Sequence, residues 1–144
     1  MKTYIENLGE ILRTAKISLW EWDVTHGKLR FSGRLDCFGR DGIQEMSPND
    51  WEHLIAPEDV TAVHETLSRC LAGEQDTFML DIRMQSIDGG WARIQHSGTV
   101  ACRDKNGRAL LLLGTQQDVT HIKPFEIKLE DQSFQMDIMA ELSD

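Results

Sequence analysis

Long apolar runs are missing from this sequence. Its longest unbroken aliphatic stretch, Ala109 to Leu113, falls far short of the roughly 20 residues that a bilayer-crossing helix needs. Residues 1–16 carry Glu6, Asn7, Gly9, Glu10 and Arg13 where a secretory signal requires an apolar segment. These absences predict no membrane insertion and a cytoplasmic protein. Cysteine is scarce: Cys37, Cys70 and Cys102 are odd in number, widely separated and without a CxxC pair. That spacing suits neither a disulfide framework nor a structural zinc site, and points to reduced packing cysteines. Positive charge is short too, with 15 Lys and Arg against 24 Asp and Glu, a formal net charge of -9 and a sequence pI near 4.9. Such a balance repels phosphate backbones and anionic lipid, so nucleic acid is not an expected partner. Catalytic signatures are absent as well: there is no GxSxG, no phosphate-cradling glycine loop and no HExxH. His26, His53, His64, His96 and His121 are scattered without metal-ligand spacing. Neither an enzyme nor a metal centre is expected.

What is present is the composition of one globular domain. The 144 residues are 40% hydrophobic and 27% charged, close to globular averages, and a chain of this length buries a sizeable core. The two ends differ from the middle. In residues 3–16, Ile5, Leu8, Ile11, Leu12 and Ala15 fall on one stripe, with Glu6, Glu10 and Arg13 off it, which predicts an amphipathic leading helix over residues 1–16. In residues 121–144, Ile122, Phe125, Leu129, Met136 and Met139 make a heptad-like seam interrupted by Gln132, which predicts a trailing helix without a stop signal. Residues 17–120 form the domain proper.

Within it the period switches from strand to helix and back. Ser18 to Val24 alternates, with Trp20 and Trp22 on one face and Glu21 and Asp23 on the other, and Thr25-His26-Gly27 turns the chain into a short strand from Lys28 to Phe31. Ser47-Pro48-Asn49-Asp50 reads as a capped helix start, predicting a short helix that ends near Ile55. Pro57-Glu58-Asp59 opens a longer helix with Val60, Val63, Leu67, Cys70 and Leu71 as its buried stripe, closed by Gly73. Phe78, Leu80, Ile82 and Met84 alternate with polar residues, Asp88-Gly89-Gly90 leads into Trp91 to Cys102, and Asp104-Lys105-Asn106-Gly107 turns into Ala109 to Leu113. The last run is apolar at every position, which predicts a central strand covered on both faces, with the terminal helices as the available outer cover. The sum is an α+β domain with a five-stranded antiparallel sheet, helices on one face, and amphipathic helices at both ends.

Four segments in order, Trp20-Glu21-Trp22-Asp23, Leu54-Ile55-Ala56-Pro57-Glu58-Asp59, Ile82-Arg83 with Asp88-Gly89, and Gly114 leading to Asp118-Val119-Thr120, resemble the signatures of PAS domains. The match is to the subgroup whose first strand carries Trp-x-Trp-Asp, and it spans residues 17–120. The resemblance implies the strand order 2-1-5-4-3 and a sensory or dimerising module of a bacterial signalling protein. It also implies a covalently linked output domain, such as a histidine kinase or a diguanylate cyclase, beyond the trailing helix. The unconsumed apolar seams at the two ends predict a homodimer through the terminal helices. Asp118 and Thr120, where the last strand meets the trailing helix, are the candidate signal junction, since either oxygen can cap the first free amides.

The apolar positions on inward faces name the candidate ligand pocket: Trp20, Trp22, Phe31, Trp51, Val63, Leu67, Phe78, Leu80, Ile82 and Ile94, with His64 at the flank of the helical stripe as the imidazole nearest to them. Four tryptophans in one domain offer flat surfaces to an aromatic or heterocyclic ligand. A haem, a flavin or a small aromatic ligand suits such walls, and none is required. Cys70, in Leu67-Ser68-Arg69-Cys70-Leu71-Ala72, does not match the cysteine motif of covalent flavin photochemistry. The direction of His96 is ambiguous, because it is in register with Ile94 and Val100 on a sheet for which cover is available on both faces. Two alternatives stand beside the sensor: a ligand-free dimerisation scaffold, and a small cone-shaped α+β enzyme of the ketosteroid isomerase kind. The latter would need Asp23 or Asp81 in an apolar pocket, yet both fall on the polar sides of their strands.

Overall fold

Alternation in the first strand sets the architecture. In the computed structural model, which describes residues 10–33, 35–39 and 44–122, β1 (Ile17–Asp23) turns Ser18 and Trp20 into the core and leaves Leu19 at 38% exposure on the other face. It pairs antiparallel with β2 (Lys28–Ser32), Trp20 opposite Phe31 and Trp22 opposite Leu29. The connecting turn is held by the Asp23 carboxylate, which accepts the His26 amide at 3.1 Å and meets His26 Nδ1 at 2.7 Å. The His26 amide first of all, with the His26 ring, keeps the Asp23 carboxyl below its ordinary pKa against the opposing effect of desolvation.

After β2 come a 3-10 turn (Asp36–Phe38) and β3 (Gln44–Met46), a three-residue strand on the outer edge of β2. Then α1 (Pro48–Glu52) begins as expected, with the Ser47 hydroxyl accepting the Asp50 amide at 3.0 Å. It stops at Glu52, short of Ile55. The reason is tertiary: Leu54 and Ala56 bond to the edge of the strand carrying Arg83 and Gln85, at 2.7 and 2.8 Å, so the backbone that would have extended the helix is used in a bridge from Ile55 to Met84. Pro57–Asp59 forms a 3-10 turn leading into α2 (Val60–Ala72). The Asp59 carboxylate accepts the Arg83 amide at 2.9 Å, which pins this end of the helix to the sheet. Val63 and Cys70 are buried, Leu67 is half-buried, and Glu58 and Glu65 face water. Gly73 ends the helix at a φ of 89°, where a side chain would be strained.

Three long strands complete the sheet: β4 (Thr77–Gln85), β5 (Trp91–Arg103) and β6 (Ala109–Asp118). The order is β3-β2-β1-β6-β5-β4, antiparallel throughout. This is the α+β arrangement expected from the sequence, with β6 central between β1 and β5. The count differs by one, because β3 adds a sixth strand at the edge. Its residues are too few to show a period in sequence. β6 alternates in burial more than its composition suggests, with Leu112 fully buried and Leu113 38% exposed. Of the two expected terminal helices, residues 1–9 and 123–144 lie outside the described residues; in the rest, residues 10–14 are helical, whereas 15–16 and 121–122 are turn or bend.

The core lies between the inner sheet face and the helices, in two adjoining clusters. One gathers Leu35, Ile55, Val63, Leu80, Ile82, Met84, Ala92 and Ile94, and the other Trp20, Cys70, Ala109 and Leu112. The Trp20 indole lies over Gly98 and Gly114, which face each other across β5 and β6. A methyl group on Gly114 would overlap that indole and the Ser97 carbonyl oxygen, and one on Gly98 would overlap the rings of Phe78 and Trp20. The slot holds the indole at a tilted 5.8 Å from Phe78, with its N–H donating to the Thr115 carbonyl at 2.9 Å.

Candidate ligand chamber and signal junction

Three buried polar side chains form a row across the inner sheet face. Ser18 pairs with Gln116, and Gln116 with His96, across β1, β6 and β5. Among the described residues these three are the buried polar side chains, at 1%, 4% and 4% exposure. Ser18 is satisfied, its hydroxyl donating to the Ser32 carbonyl at 2.9 Å. His96 lies edge-on to Trp51, with ring centres 5.6 Å apart, and its Nε2 is 3.4 Å from Met84 Sδ. Burial pushes its pKa down to about 4, and the Asp81 charge opposes this only in part, so the imidazole is neutral at physiological pH.

Two cavities flank this row and share Phe31 and Trp51 as walls. The larger, about 230 Å³, has Ser18, Leu35, Phe38, Met84 and Gln116 among its lining residues. The smaller, about 50 Å³, is lined by Trp20, Trp22, Leu29, Phe31, Pro48, Trp51, Leu67, Phe78, Leu80 and His96. Of the expected wall residues, Trp20, Trp22, Phe31, Trp51, Leu67, Phe78 and Leu80 therefore come together. Val63, Ile82 and Ile94 are packed into the core beneath, at 3% exposure or less. His64 is on the surface, with Nε2 2.7 Å from Glu52 Oε1, so the imidazole on the chamber wall is that of His96. Gln116 and Met84 were not among the expected walls. The signal for Gln116 was its register, four residues after the buried Leu112 on a strand with a period of two. The buried Trp22 indole N–H finds no acceptor among the described residues.

At the end of β6 the Asp118 carboxylate accepts the Thr120 amide at 2.9 Å and also its hydroxyl. The Thr120 hydroxyl oxygen in turn accepts the Arg93 amide at 2.9 Å. The Arg93 guanidinium grips Asp81 at 2.6 to 3.1 Å and donates to the Ile122 carbonyl at 2.8 Å. Burial alone would raise the Asp118 pKa, but the bonds from Thr120 and the Cys37 thiol, with His121 nearby, hold it below the ordinary value. Cys37 is pushed up to about 12, by burial first and by Asp118 second, so its thiol is not a reactive nucleophile. The two junction residues thus bond to each other and, through Arg93, to β5.

A family model described as a PAS fold matches residues 38–116, more than half of the chain. The chain belongs to the PAS fold family. The matched stretch begins after β1 and β2, so the Trp-x-Trp-Asp strand joins this PAS domain through the sheet topology. Solved structures agree in fold. A sensory box histidine kinase/response regulator from Burkholderia thailandensis superposes with a TM-score of 0.68 at 22% identity, covering 92% of this chain and 98% of that one. The N-terminal domain of a diguanylate cyclase with a PAS/PAC sensor from Marinobacter aquaeolei gives 0.60 at 22% identity, covering 73% and 96%. A domain of a putative light and redox sensing histidine kinase from Haloarcula marismortui gives 0.59 at 18%, covering 79% and 98%. No curated protein matches the chain in sequence. As a PAS domain, it places its chamber between α1, α2 and the inner face of the sheet, and its junction at the open end of β6.

Proposed function

We propose that this PAS domain is a non-catalytic sensory module of a cytoplasmic bacterial signalling protein. It binds a small molecule in the chamber and passes the change through Asp118 and Thr120 to the trailing segment and a linked output domain. One observation carries this reading: Gln116, in the cavity wall, and Asp118, at the junction, are successive same-face residues of β6. A ligand that draws on the Gln116 carboxamide pulls directly on the strand whose end holds the cap. The relatives of like fold, described as a histidine kinase and a diguanylate cyclase, support an output of that kind. No helix among the described residues is long and apolar enough to cross a membrane, in keeping with a cytoplasmic setting. The test is the absorption spectrum of the purified protein, followed by mass spectrometry of what denaturation releases. A released small molecule is the expected result. A protein that releases nothing and whose melting temperature responds to no added small molecule would instead be a dimerisation scaffold.

A further inference from the structure

The edge of a sheet carries backbone groups that no neighbouring strand pairs, and proteins cover them, bend them away or guard them with charge or proline. β4 is such an edge, since its one partner in the sheet is β5. Its outward groups are identified by what caps them. The Arg83 amide donates to the Asp59 carboxylate at 2.9 Å, the Arg83 carbonyl accepts the Ala56 amide at 2.8 Å, and the Gln85 amide donates to the Leu54 carbonyl at 2.7 Å. At the other end the Thr77 carbonyl accepts the Gln75 carboxamide at 3.2 Å. In an antiparallel ladder a residue sends its N–H and its C=O to the same side, alternately from one residue to the next. The outward set is therefore Thr77, Met79, Asp81, Arg83 and Gln85. Both ends of this set are capped by the chain itself, and the middle is open: among the described residues no group bonds the outward amides and carbonyls of Met79 and Asp81.

The usual guards are missing from this window. Neither residue is proline or lysine, and β4 runs against β5 without a shift of register from Thr77 to Gln85. The Asp81 charge is taken up by Arg93, at 2.6 to 3.1 Å. The side chains around the window say what would suit it. Met79 stands at 66% exposure. On the helix side, a surface groove between α2 and β4 has Thr66, Arg69, Thr77 and Phe78 among its lining residues. Arg69 is exposed and makes no ion pair among the described residues. A strand added beside β4 would continue the pleat, so its residue next to Met79 would share the outer face with Met79, and the residue after that would turn toward Phe78 and the groove. The first position favours an apolar side chain and the second a single carboxylate. A run of acids is disfavoured, because the chain carries a net charge of -9 and would repel it.

Independently of any ligand in the chamber, we infer that the open window of β4 receives an extended segment of a partner protein, added to the six-stranded sheet through the backbone of Met79 and Asp81. An apolar residue of that segment lies beside Met79, and an adjacent acidic residue faces Arg69. Main-chain bonds give the affinity and the two side chains give the choice of partner.

The test uses the full chain and a labelled peptide, Thr-Glu-Val-Thr-Val, with blocked ends. Affinity is followed by fluorescence anisotropy and location by amide hydrogen exchange. A window this short predicts weak binding, with a Kd of the order of 100 µM, and the largest slowing of exchange at the Met79 and Asp81 amides. The same peptide N-methylated at each residue keeps its side chains and loses its donors, and should bind at least about tenfold more weakly. Met79→Pro removes an outward N–H while sparing the bonds to β5, and should weaken the peptide by a similar factor; if that variant does not fold, the N-methylated peptide decides the point. Arg69→Glu should weaken the peptide by about fivefold and reverse its advantage over the form with Gln in place of Glu. No binding up to about 1 mM, binding that survives N-methylation, protection confined to other strands, or an affinity unchanged by Arg69→Glu each overturns the inference. Protection of the Met79 and Asp81 amides that grows with the concentration of the chain alone would also overturn it, since the occupant would then be a second copy.

Discussion

His96 shows how one buried side chain writes itself into the pH dependence of the whole domain. Its folded pKa, near 4, lies below the roughly 6.5 of an unfolded chain. Above the unfolded value both states are neutral and there is no effect. As pH falls from about 6.5 toward 4 the unfolded state takes up a proton that the folded state refuses, so stability declines across that window, by up to roughly 3 kcal/mol, and levels off below it. Asp23, Asp88 and Asp118, with pKa values lowered from 3.8, lose their contributions only at lower pH. Denaturation midpoints of wild type and His96→Phe between about pH 7 and 4 separate the two: the wild type should weaken and the variant should stay flat. Gly114 is the second residue whose role is decided by space. Gly114→Ala must displace Trp20 or the Ser97 carbonyl and should cost at least about 2 kcal/mol, with tryptophan emission shifted to the red as the indole leaves its slot. A midpoint within error of wild type would show the slot to be loose. Trp20 as a core residue was readable from alternation alone, while the glycines beneath it were not, because the strand that supplies each is remote in sequence.

At the scale of elements, caps and periods were readable, and competition between elements was not. Ser47 and Gly73 mark the ends of helices in the residues themselves. The early end of α1 depends on the edge of β4, a strand remote in sequence, which captures Leu54 and Ala56. For α2 the phase was legible, and its consequence is measurable. Leu67 packs on the core from a half-buried position, so Leu67→Ala should cost about 2 kcal/mol, the low end of the range for a core leucine. Glu65→Ala on the exposed face should stay within about 0.5 kcal/mol. Equal losses at the two positions would mean that the helix is rotated from the phase described. The junction was legible in part: Asp118 and Thr120 stood out, whereas Arg93, which ties them to Asp81 and to the Ile122 carbonyl, did not, because its partners are scattered along the chain. Arg93→Gln should cost about 1 kcal/mol, since Arg93 and Asp81 are only partly buried. It should also speed amide exchange at Val119 and Ile122 by more than at β4. Uniform exchange rates would show that the tie does not hold the strand end.

The whole molecule brings the entry and the exit of its sheet to one corner. Ile17, the first residue of β1, pairs with Gln117 near the end of β6, and the Asp118 amide donates to the Lys16 carbonyl at 3.3 Å. The chain therefore enters β1 and leaves β6 side by side, next to the Asp118–Thr120 turn. Helices of the kind the sequence predicts would start from this corner, carrying the stripe of Ile5, Leu8, Ile11 and Leu12 on one and the seam of Ile122, Phe125, Leu129, Met136 and Met139 on the other. Ile11, within the described part of the leading stripe, keeps 51% exposure, and on the outer sheet face Leu19, Met79 and Leu113 keep 38%, 66% and 38%. The homodimer that the sequence predicts would bring two copies of this corner together about a two-fold axis. A parallel homodimer would set both trailing segments alongside each other, the geometry in which a small displacement at Asp118 becomes a relative shift of two helices. Sedimentation across a concentration series should show a concentration-dependent dimer for the full chain and a monomer for the chain truncated after Thr120. A full chain that stays monomeric at high concentration, or a truncated one that dimerises as well, would place the contact elsewhere, with the outer sheet face the first surface to examine by Met79→Asp.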